Sequence, residues 1–328
     1  MHKTILLKTQ VFLITPPFTQ LNTPYPATAY LKGFLNTQKI QSFQCDLGIE
    51  VILKLFSSEG LSSLFSGLRT SDFGLSANAR RIYNLRETYI QTIDQVIAFL
   101  QEKNVTLAHV ICEGNYLPEA SRFAQTDDLE WAFGTMGNRD KAKHLATLYL
   151  EDLSDLIVEA IDPHFGFSRY AERLGRSAAT FDELQAELQK PDSFIDRILL
   201  KLLQEKIELS QPTLVAFSVP FPGNLYSAFK CAQYLKKYYP ELKIAMGGGF
   251  PNTELRSLSD PRVCEYFDFI LLDDGEAPIL NLIEHLDGKR EKANLKRTFA
   301  LENDEVVYLN DSQQNDFSQF EVGTPDYS

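Results

Sequence analysis

The chain has 328 residues, of which 44% are hydrophobic and 23% are charged, so it is long enough for one large globular domain or two smaller ones. Its formal net charge of −12 argues against nucleic acid as the main partner, because phosphate binding needs a basic face. No apolar run reaches the ~20 residues that span a bilayer, which argues against a membrane partner. The cysteines lack CxxC and zinc spacing, which indicates reduced thiols in a cytoplasmic protein; they are Cys45, Cys112, Cys231 and Cys264.

The start of the chain predicts a strand, a helix and a second strand. Residues 11–14 form a short apolar run that ends at the sequence TPP, which predicts strand one and a loop. Residues 27–36 have helical spacing, and residues 40–46 alternate between apolar and polar side chains. This is the order of a βαβ unit.

The next 160 or so residues are dominated by helical patterns instead of a third strand. Apolar residues recur at helical intervals over 87–100, 142–161 and 194–207. We therefore predict a large helical insertion, residues 49–210, between strands two and three. A separate helical domain with no functional tie to the sheet remains the alternative.

Three apolar runs in the second half of the chain each end in a loop of small or acidic residues. The runs and the residues after them are 214–219 followed by PFPGN, 244–246 followed by GGG, and 269–272 followed by DDGE. An amphipathic helical pattern at 225–238 joins the first two runs. The alternation predicts parallel strands joined by crossover helices, with all these loops on the edge where open α/β sheets bind ligands.

The last part of the chain predicts a hairpin and then a linker. Residues 298–301 and 306–309 flank the sequence ENDE, which is typical of a hairpin. Residues 310–328 are polar and lack periodicity. The predicted organisation is an α/β domain (1–48 and 211–290), the insertion (49–210), and a hairpin with a linker (291–328).

The candidate chemistry lies in the loops, and several interpretations stay open. Gly247, Gly248 and Gly249 let the backbone approach a ligand, or they serve only as a tight turn. The chain has neither a Walker pattern nor GxGxxG, which weakens a phosphate site. The hydroxyl of Ser218 either enters the crevice or bonds to the backbone.

The acidic loop and the histidines give no complete catalytic set. Asp273, Asp274 and Glu276 could bind a metal ion, but the absence of a nearby histidine disfavours this interpretation. The favoured interpretation is that the Glu276 carboxylate, close to a helix start, interacts with the N-terminal end of the helix dipole. The histidines are isolated and fit structural roles. We predict no metal ligand and no catalytic residue in this chain.

Four segments together resemble the N-terminal cobalamin-binding domain of cobalamin-dependent radical S-adenosylmethionine (radical SAM) enzymes. They are TPP after strand one, VAFSVPFPGNLYSAFKCAQYLKKYYP, AMGGGFPN and FDFILLDDGE. The resemblance extends into the insertion at LEWAFGTMGNRDKAKHLATLYLEDL and DPHFGFSRYAERL, and so covers most of the chain. The order, spacing and strand context of these segments carry the resemblance, because each glycine motif alone is weak.

The resemblance implies a flavodoxin-like, doubly wound parallel sheet of the Rossmann-like kind that holds cobalamin over the strand C-termini. The corrin ring is then expected beside the TPP loop, and the nucleotide tail beside the Ser218 hydroxyl and the glycines. The expected cofactor-binding residues are Thr15, Pro16, Pro17, Ser218, Phe221, Pro222, Gly223, Asn224, Gly247, Gly248, Gly249, Gly275 and Glu276.

Two departures from the family change what is expected. The DxHxxG sequence that ligates cobalt in other cobalamin domains is absent, and we interpret its nearest match, residues 162–166 (DPHFG), as a helix-breaking turn. The family's CxxxCxxC, which holds a [4Fe–4S] cluster for S-adenosylmethionine, is also absent. We therefore expect a chain that presents cobalamin without catalysing a reaction itself. Its partner is then its own C-terminal radical SAM domain, in a parent oxidoreductase or methyltransferase.

Two other functions stay open. The sheet could be an apo docking or regulatory scaffold that has lost cobalamin binding. It could also belong to a stand-alone nucleotide-binding or glycosyl-transferring enzyme, although the crevice loops lack a basic residue.

Overall fold

The computed structural model of the chain describes residues 8–18, 21, 25–68, 74–128, 137–167, 172–176 and 181–328. The chain divides into two compact units. The first comprises Met1–Ile49, Phe167–Pro191 and Leu199–Ser328, and the second comprises Glu50–Gly166 and Asp192–Ile198. Parts of the predicted insertion, 167–191 and 199–210, thus belong to the unit that holds the sheet.

The first unit is built on a seven-stranded sheet of order β2-β1-β3-β4-β5-β6-β7. Its strands are β1 (Val11–Thr15), β2 (Ser42–Asp46), β3 (Leu214–Ser218), β4 (Lys243–Gly247), β5 (Phe269–Leu271), β6 (Thr298–Glu302) and β7 (Glu305–Leu309). The first five are parallel, and the β6–β7 hairpin extends the sheet antiparallel. The predicted α/β class and the hairpin are therefore confirmed.

Each periodic helical pattern of the sequence coincides with a helix, and further helices lie between them. In chain order they are α1 (Ala27–Thr37), α2 (Leu47–Leu55), α3 (Ser58–Gly67), α4 (Ala77–Asn84), α5 (Arg86–Leu100), α6 (Leu107–Glu113), α7 (Gly137–Ala160), α8 (Glu172–Arg176), α9 (Asp182–Leu188), α10 (Phe194–Ser210), α11 (Leu225–Tyr238), α12 (Gly249–Glu254) and α13 (Glu276–Leu286). Short 3-10 turns lie at Ser121–Asp128, Pro222–Asn224, Pro261–Glu265 and Lys292–Asn294. Among the helices in the described ranges, none is long and apolar enough to cross a membrane.

Different groups of side chains pack on the two faces of the sheet, and the candidate site lies on the face covered by α1 and α13. All five residues of β3 are buried, as expected for a strand covered on both faces. On one face Leu13 and Ala216 pack with Ile279 of α13 and Leu35 of α1. On the other, the ring of Phe229 lies 4.9 Å from that of Phe267.

The hydrogen bonds at the C-terminal end of α1 involve a residue that the sequence assigned to the start of β2, so β2 is shorter than predicted. The amide of Ile40 donates to the carbonyl of Leu35, and Lys39 has a positive φ of 56°. Because Ile40 completes this helix end, β2 begins only at Ser42. The prediction that the strand starts at residue 40 was wrong by two residues.

The second unit is helical, and two tyrosines organise its interior. The rings of Tyr89 and Tyr149 lie 5.0 Å apart, and both residues are fully buried. The Tyr149 hydroxyl donates to the carbonyl of Tyr89 at 3.1 Å and lies 3.0 Å from the Thr92 hydroxyl. Burial raises the pKa of both tyrosines, so both hydroxyls stay neutral; the Tyr89 hydroxyl has no hydrogen-bond partner among the described residues.

A buried carboxylate supports the 3-10 turn of the second unit. Both oxygens of Asp152 accept backbone N–H groups, from Ala120 at 2.9 Å and from Arg122 at 3.1 Å. Desolvation raises the pKa of Asp152. Further along, residues 162–166 form a turn after α7, where the amide of His164 donates to Asp162, so the interpretation of DPHFG as a helix-breaking turn is confirmed.

Candidate functional site

A cavity of about 360 Å³ lies over the carboxyl ends of β3, β4 and β5 in the first unit. The first turn of α1 forms one wall, and the start of α13 forms the opposite wall. Parallel strands place their following loops on the same edge, and the register pairs Ser218 directly with Gly247. The Ser218 loop and the triple glycine therefore share one edge.

The floor of the cavity is apolar. It is formed by side chains that point to one face of the sheet together with residues of the flanking helices: Leu13, Leu31, Ala216, Ala245, Leu271 and Ile279. Such a floor suits an uncharged, apolar part of a ligand, since burying an unpaired charge there is costly.

Ser218 is the polar group of the floor. It ends β3 on the cavity face, and only 6% of its surface is exposed. Its hydroxyl makes no hydrogen bond to any described residue, and so it is available to a ligand. Thr28, on the α1 wall, is likewise only 6% exposed and lines the same space.

The three glycines differ in how much space surrounds a Cβ at their positions. A Cβ at Gly247 would be accommodated, with its nearest neighbour the Leu271 carbonyl oxygen at 3.4 Å. Gly248 has a φ of 108°, and a Cβ there would lie 2.7 Å from the Val219 carbonyl oxygen. Gly249 begins α12, and a Cβ there would lie 2.7 Å from the Pro220 carbonyl oxygen. Gly248 and Gly249 therefore permit a tight turn, and the absence of a side chain at Gly247 leaves open space in the cavity.

The rim of the cavity is acidic. Asp273, Asp274 and Glu276 all line it, and none of its described lining residues is basic. Glu276 is the first residue of α13, as the dipole interpretation expects. Within the described ranges, no three His, Cys, Asp or Glu side chains converge as a metal site.

Two arginines neutralise part of this rim from outside the cavity. Arg256 forms an ion pair with Asp273, and its Nε donates to the carbonyl of Asn252 at 2.7 Å. Arg297 lies 3.8 Å from the Asp273 carboxylate and 2.5 Å from Asp316. Burial alone lowers the pKa of Arg297, but the Asp316 carboxylate raises it overall, so the guanidinium stays charged.

The remaining predicted site residues lie beside the cavity and do not line it. Asn224 donates from its amide to the carbonyl of Pro16 at 2.6 Å, and the Phe18 amide donates to the carbonyl of Gly223. These bonds tie the loop after β1 to the loop after β3. The predicted residues held in or next to this junction are Thr15, Pro16, Pro17, Phe221, Pro222, Gly223 and Asn224.

Several of these residues are buried by the chain itself. Pro16 and Pro17 are buried, and the turn at Pro222 packs closely on Gly175 of α8. The buried Thr15 hydroxyl has no partner among the described residues. Of the predicted set, the cavity is lined by Ser218, Gly247, Gly248, Gly249, Gly275 and Glu276.

Sequence reasoning identified Phe221 but not the two tyrosines at the cavity mouth. Tyr25 and Tyr30 line the cavity, and the ring of Phe221 packs edge-on against Tyr25 at 6.0 Å. Tyr30 and Phe221 are 50% and 54% exposed. The available signal was that α1 follows β1 and so begins at the ligand-binding edge.

Comparisons of the chain with protein-family models, with curated proteins and with solved structures found no match.

Proposed function

We propose that this chain binds a large cofactor with a flat ring and a polar tail, and that the cofactor is cobalamin. The observation that carries the proposal is the pairing of Ser218 with Gly247 on one edge, where a buried hydroxyl and a position without a side chain open into a 360 Å³ cavity. This space is not filled by the protein's own side chains. Its volume falls in the range of about 300–1,000 Å³ that is usual for ligand pockets.

The strand order supports a flavodoxin-like assignment. The parallel part of the sheet runs β2-β1-β3-β4-β5, which is the doubly wound order of that fold. In such sheets the ligand binds outside the carboxyl ends of the strands, near the point where the connections diverge. The cavity lies at that edge.

The residues at this edge fit the parts of cobalamin unequally. In this proposal the nucleotide tail occupies the cavity and the corrin ring lies outside its mouth. Ser218 and Thr28 would bind the polar groups of the tail, and the floor would contact its apolar base. The exposed rings of Tyr30 and Phe221 would contact the corrin.

The acidic rim has a separate part in this proposal. Asp274 is exposed and Glu276 is half-buried beside the opening. Their carboxylates accept hydrogen bonds, and the amide groups on the edge of a corrin are donors. We infer that these two residues orient the ring.

When bound, cobalamin supplies a methyl carrier or an electron-transfer centre, and this chain's own residues bind and orient it. The [4Fe–4S] cluster and S-adenosylmethionine would belong to a C-terminal radical SAM domain, because the chain has no CxxxCxxC. We further propose a cytoplasmic location, in which the four cysteines, free in this structure, stay reduced.

The experiment compares two corrinoids. The protein is incubated with hydroxocobalamin or with cobinamide, which lacks the nucleotide tail, and is then desalted before its visible spectrum is recorded. We expect a retained corrin band with hydroxocobalamin and a much weaker one with cobinamide. Equal retention of both would contradict the placement of the tail.

A colourless protein with both corrinoids would overturn the cobalamin proposal and favour the docking scaffold. A thermal-shift screen of nucleotides on the same sample would then detect the third function, the nucleotide-binding enzyme.

A further inference from the structure

The C-terminal residues 317–328, named here the strap, lie against the outer side of α1. The ring of Phe317 packs at 4.8 Å from that of Phe34, and Phe317 and Val322 both contact the apolar core on this face of the sheet. The backbone amide of Asp326 donates to the carbonyl of Ala29 at 2.9 Å. The strap is therefore bonded to the helix along most of the helix length.

Gly33 allows the strap to touch the backbone of α1. A Cβ at this position would overlap the carbonyl oxygen of Thr324 and lie 3.2 Å from the Cα of Pro325. A glycine inside a helix lowers helix stability, so its presence here needs a packing reason. The close crossing of the strap supplies that reason.

Lys32 is the polar centre of the contact. Only 8% of Lys32 is exposed, and its Nζ donates to the carbonyl oxygen of Ser328 at 2.5 Å and to its hydroxyl at 2.7 Å. The carboxylate of Asp326 lies 3.5 Å from the same Nζ and accepts from Asn36 at 2.7 Å. Burying a lysine requires such partners, so the ammonium group holds the strap and helix together.

The inner side of the same helix is the wall of the cavity. Thr28 and Leu31 line the cavity, and the Leu31 side chain limits the space at Gly275 on the opposite wall, where a Cβ would lie 3.3 Å from it. A shift of α1 away from the sheet would therefore change the width of the cavity. The strap opposes that shift from outside.

We propose that the strap positions α1 as the wall of the cavity, and that Lys32 is the positioning residue. The part of this inference that concerns hydroxocobalamin binding rests on the proposed function. The helix α1 contacts the cavity on one side and the strap on the other, so ligand binding and strap docking are coupled. The factor by which the docked strap raises ligand affinity equals the factor by which bound ligand favours strap docking. Loosening the strap lowers ligand affinity, and ligand binding slows the opening of the strap.

The test uses Lys32→Met, which keeps an unbranched apolar side chain one atom shorter than lysine and removes the ammonium group that bonds to the strap. The matched control is Lys39→Met, at an exposed lysine just beyond α1. Hydrogen exchange of peptides covering 27–37 and 317–328 is measured in the ligand-free proteins. We expect roughly 10-fold faster exchange in both peptides for Lys32→Met and no change for Lys39→Met.

The second arm measures hydroxocobalamin affinity together with the urea midpoint of each variant. We expect roughly 10-fold weaker hydroxocobalamin binding for Lys32→Met. This loss of affinity should exceed the loss that the larger unfolded fraction, calculated from the urea midpoint, would cause. A purely structural role would move the midpoint and leave the affinity of the folded protein unchanged, and that result would overturn the proposal.

The two proposals fail in different ways. If the natural chain retains no corrinoid, the proposed function fails, and the exchange of 27–37 alone decides whether the strap positions α1. Unchanged exchange in Lys32→Met would overturn the strap proposal even if cobalamin binds.

Discussion

The substitution Gly247→Val tests directly whether the space beside β4 is a ligand site. Gly247 ends β4, and its register with Ser218 places any side chain at 247 on the cavity face. The first added carbon makes only ordinary contact with Leu271, at 3.4 Å from its carbonyl oxygen. The two methyl groups of valine then extend into the cavity.

Gly247→Val should affect the stability of the free protein and its affinity for the ligand to different extents. Glycine inside a strand is less favourable than alanine by roughly 0.5–1 kcal/mol, so the free protein should not lose stability. A ligand in the same space meets an overpacked site, at a cost of about 1–3 kcal/mol. Since 1.4 kcal/mol is tenfold in Kd, affinity should fall about 5- to 150-fold.

The assay is a hydroxocobalamin titration followed by visible absorbance, with urea unfolding of the same samples. The matched control is Gly67→Val at the end of α3, where a Cβ meets open space. Folded Gly247→Val that binds as tightly as the natural chain would refute the assignment of the cavity to the ligand.

Three further outcomes follow from individual contacts. Gly248→Ala should lower the free energy of unfolding in urea by at least about 1 kcal/mol, because the φ of 108° and the Val219 backbone leave no place for a Cβ; unchanged unfolding would contradict this. Tyr149→Phe should cost about 1–3 kcal/mol, because it removes the donor to the Tyr89 carbonyl, and a loss near zero would show that this bond does not stabilise the second unit. Hydrogen bonds from Ser328 hold the pKa of Asp326 below its ordinary value, so its stabilisation of the strap is present above about pH 4 and is lost as the pH falls further. Hydrogen exchange of 317–328 should show this loss, and Asp326→Asn should lack the pH dependence.

The sequence predicts the central strands well because they are buried on both faces. The run at 214–219 is apolar except for Ser218, and helix 225–238 has its apolar residues at helical spacing, so both signals are local. The structure confirms that helix as Leu225–Tyr238. Errors occur at ends, as at Ile40, where a hydrogen bond to Leu35 decides the boundary.

The walls of the candidate site are harder to predict, because they depend on contacts between distant segments. Residues 310–328 have no periodicity and were interpreted as a linker, yet Asp326 and Ser328 bond to Lys32, which lies almost 300 positions earlier. Likewise, the pairing of Arg256 and Arg297 with Asp273 brings basic groups to a rim that appears purely acidic in sequence. Local patterns carry no information on such pairs.

The most direct test of the central claim is hydrogen exchange of the natural chain with and without hydroxocobalamin, resolved by peptide. If the ligand lies between α1 and α13 over the strand ends, exchange should slow in 25–31, 247–252 and 273–279 and stay unchanged in 254–263. Slower exchange confined to other segments, or none at all at saturating hydroxocobalamin, would contradict the assignment of the cofactor to this cavity.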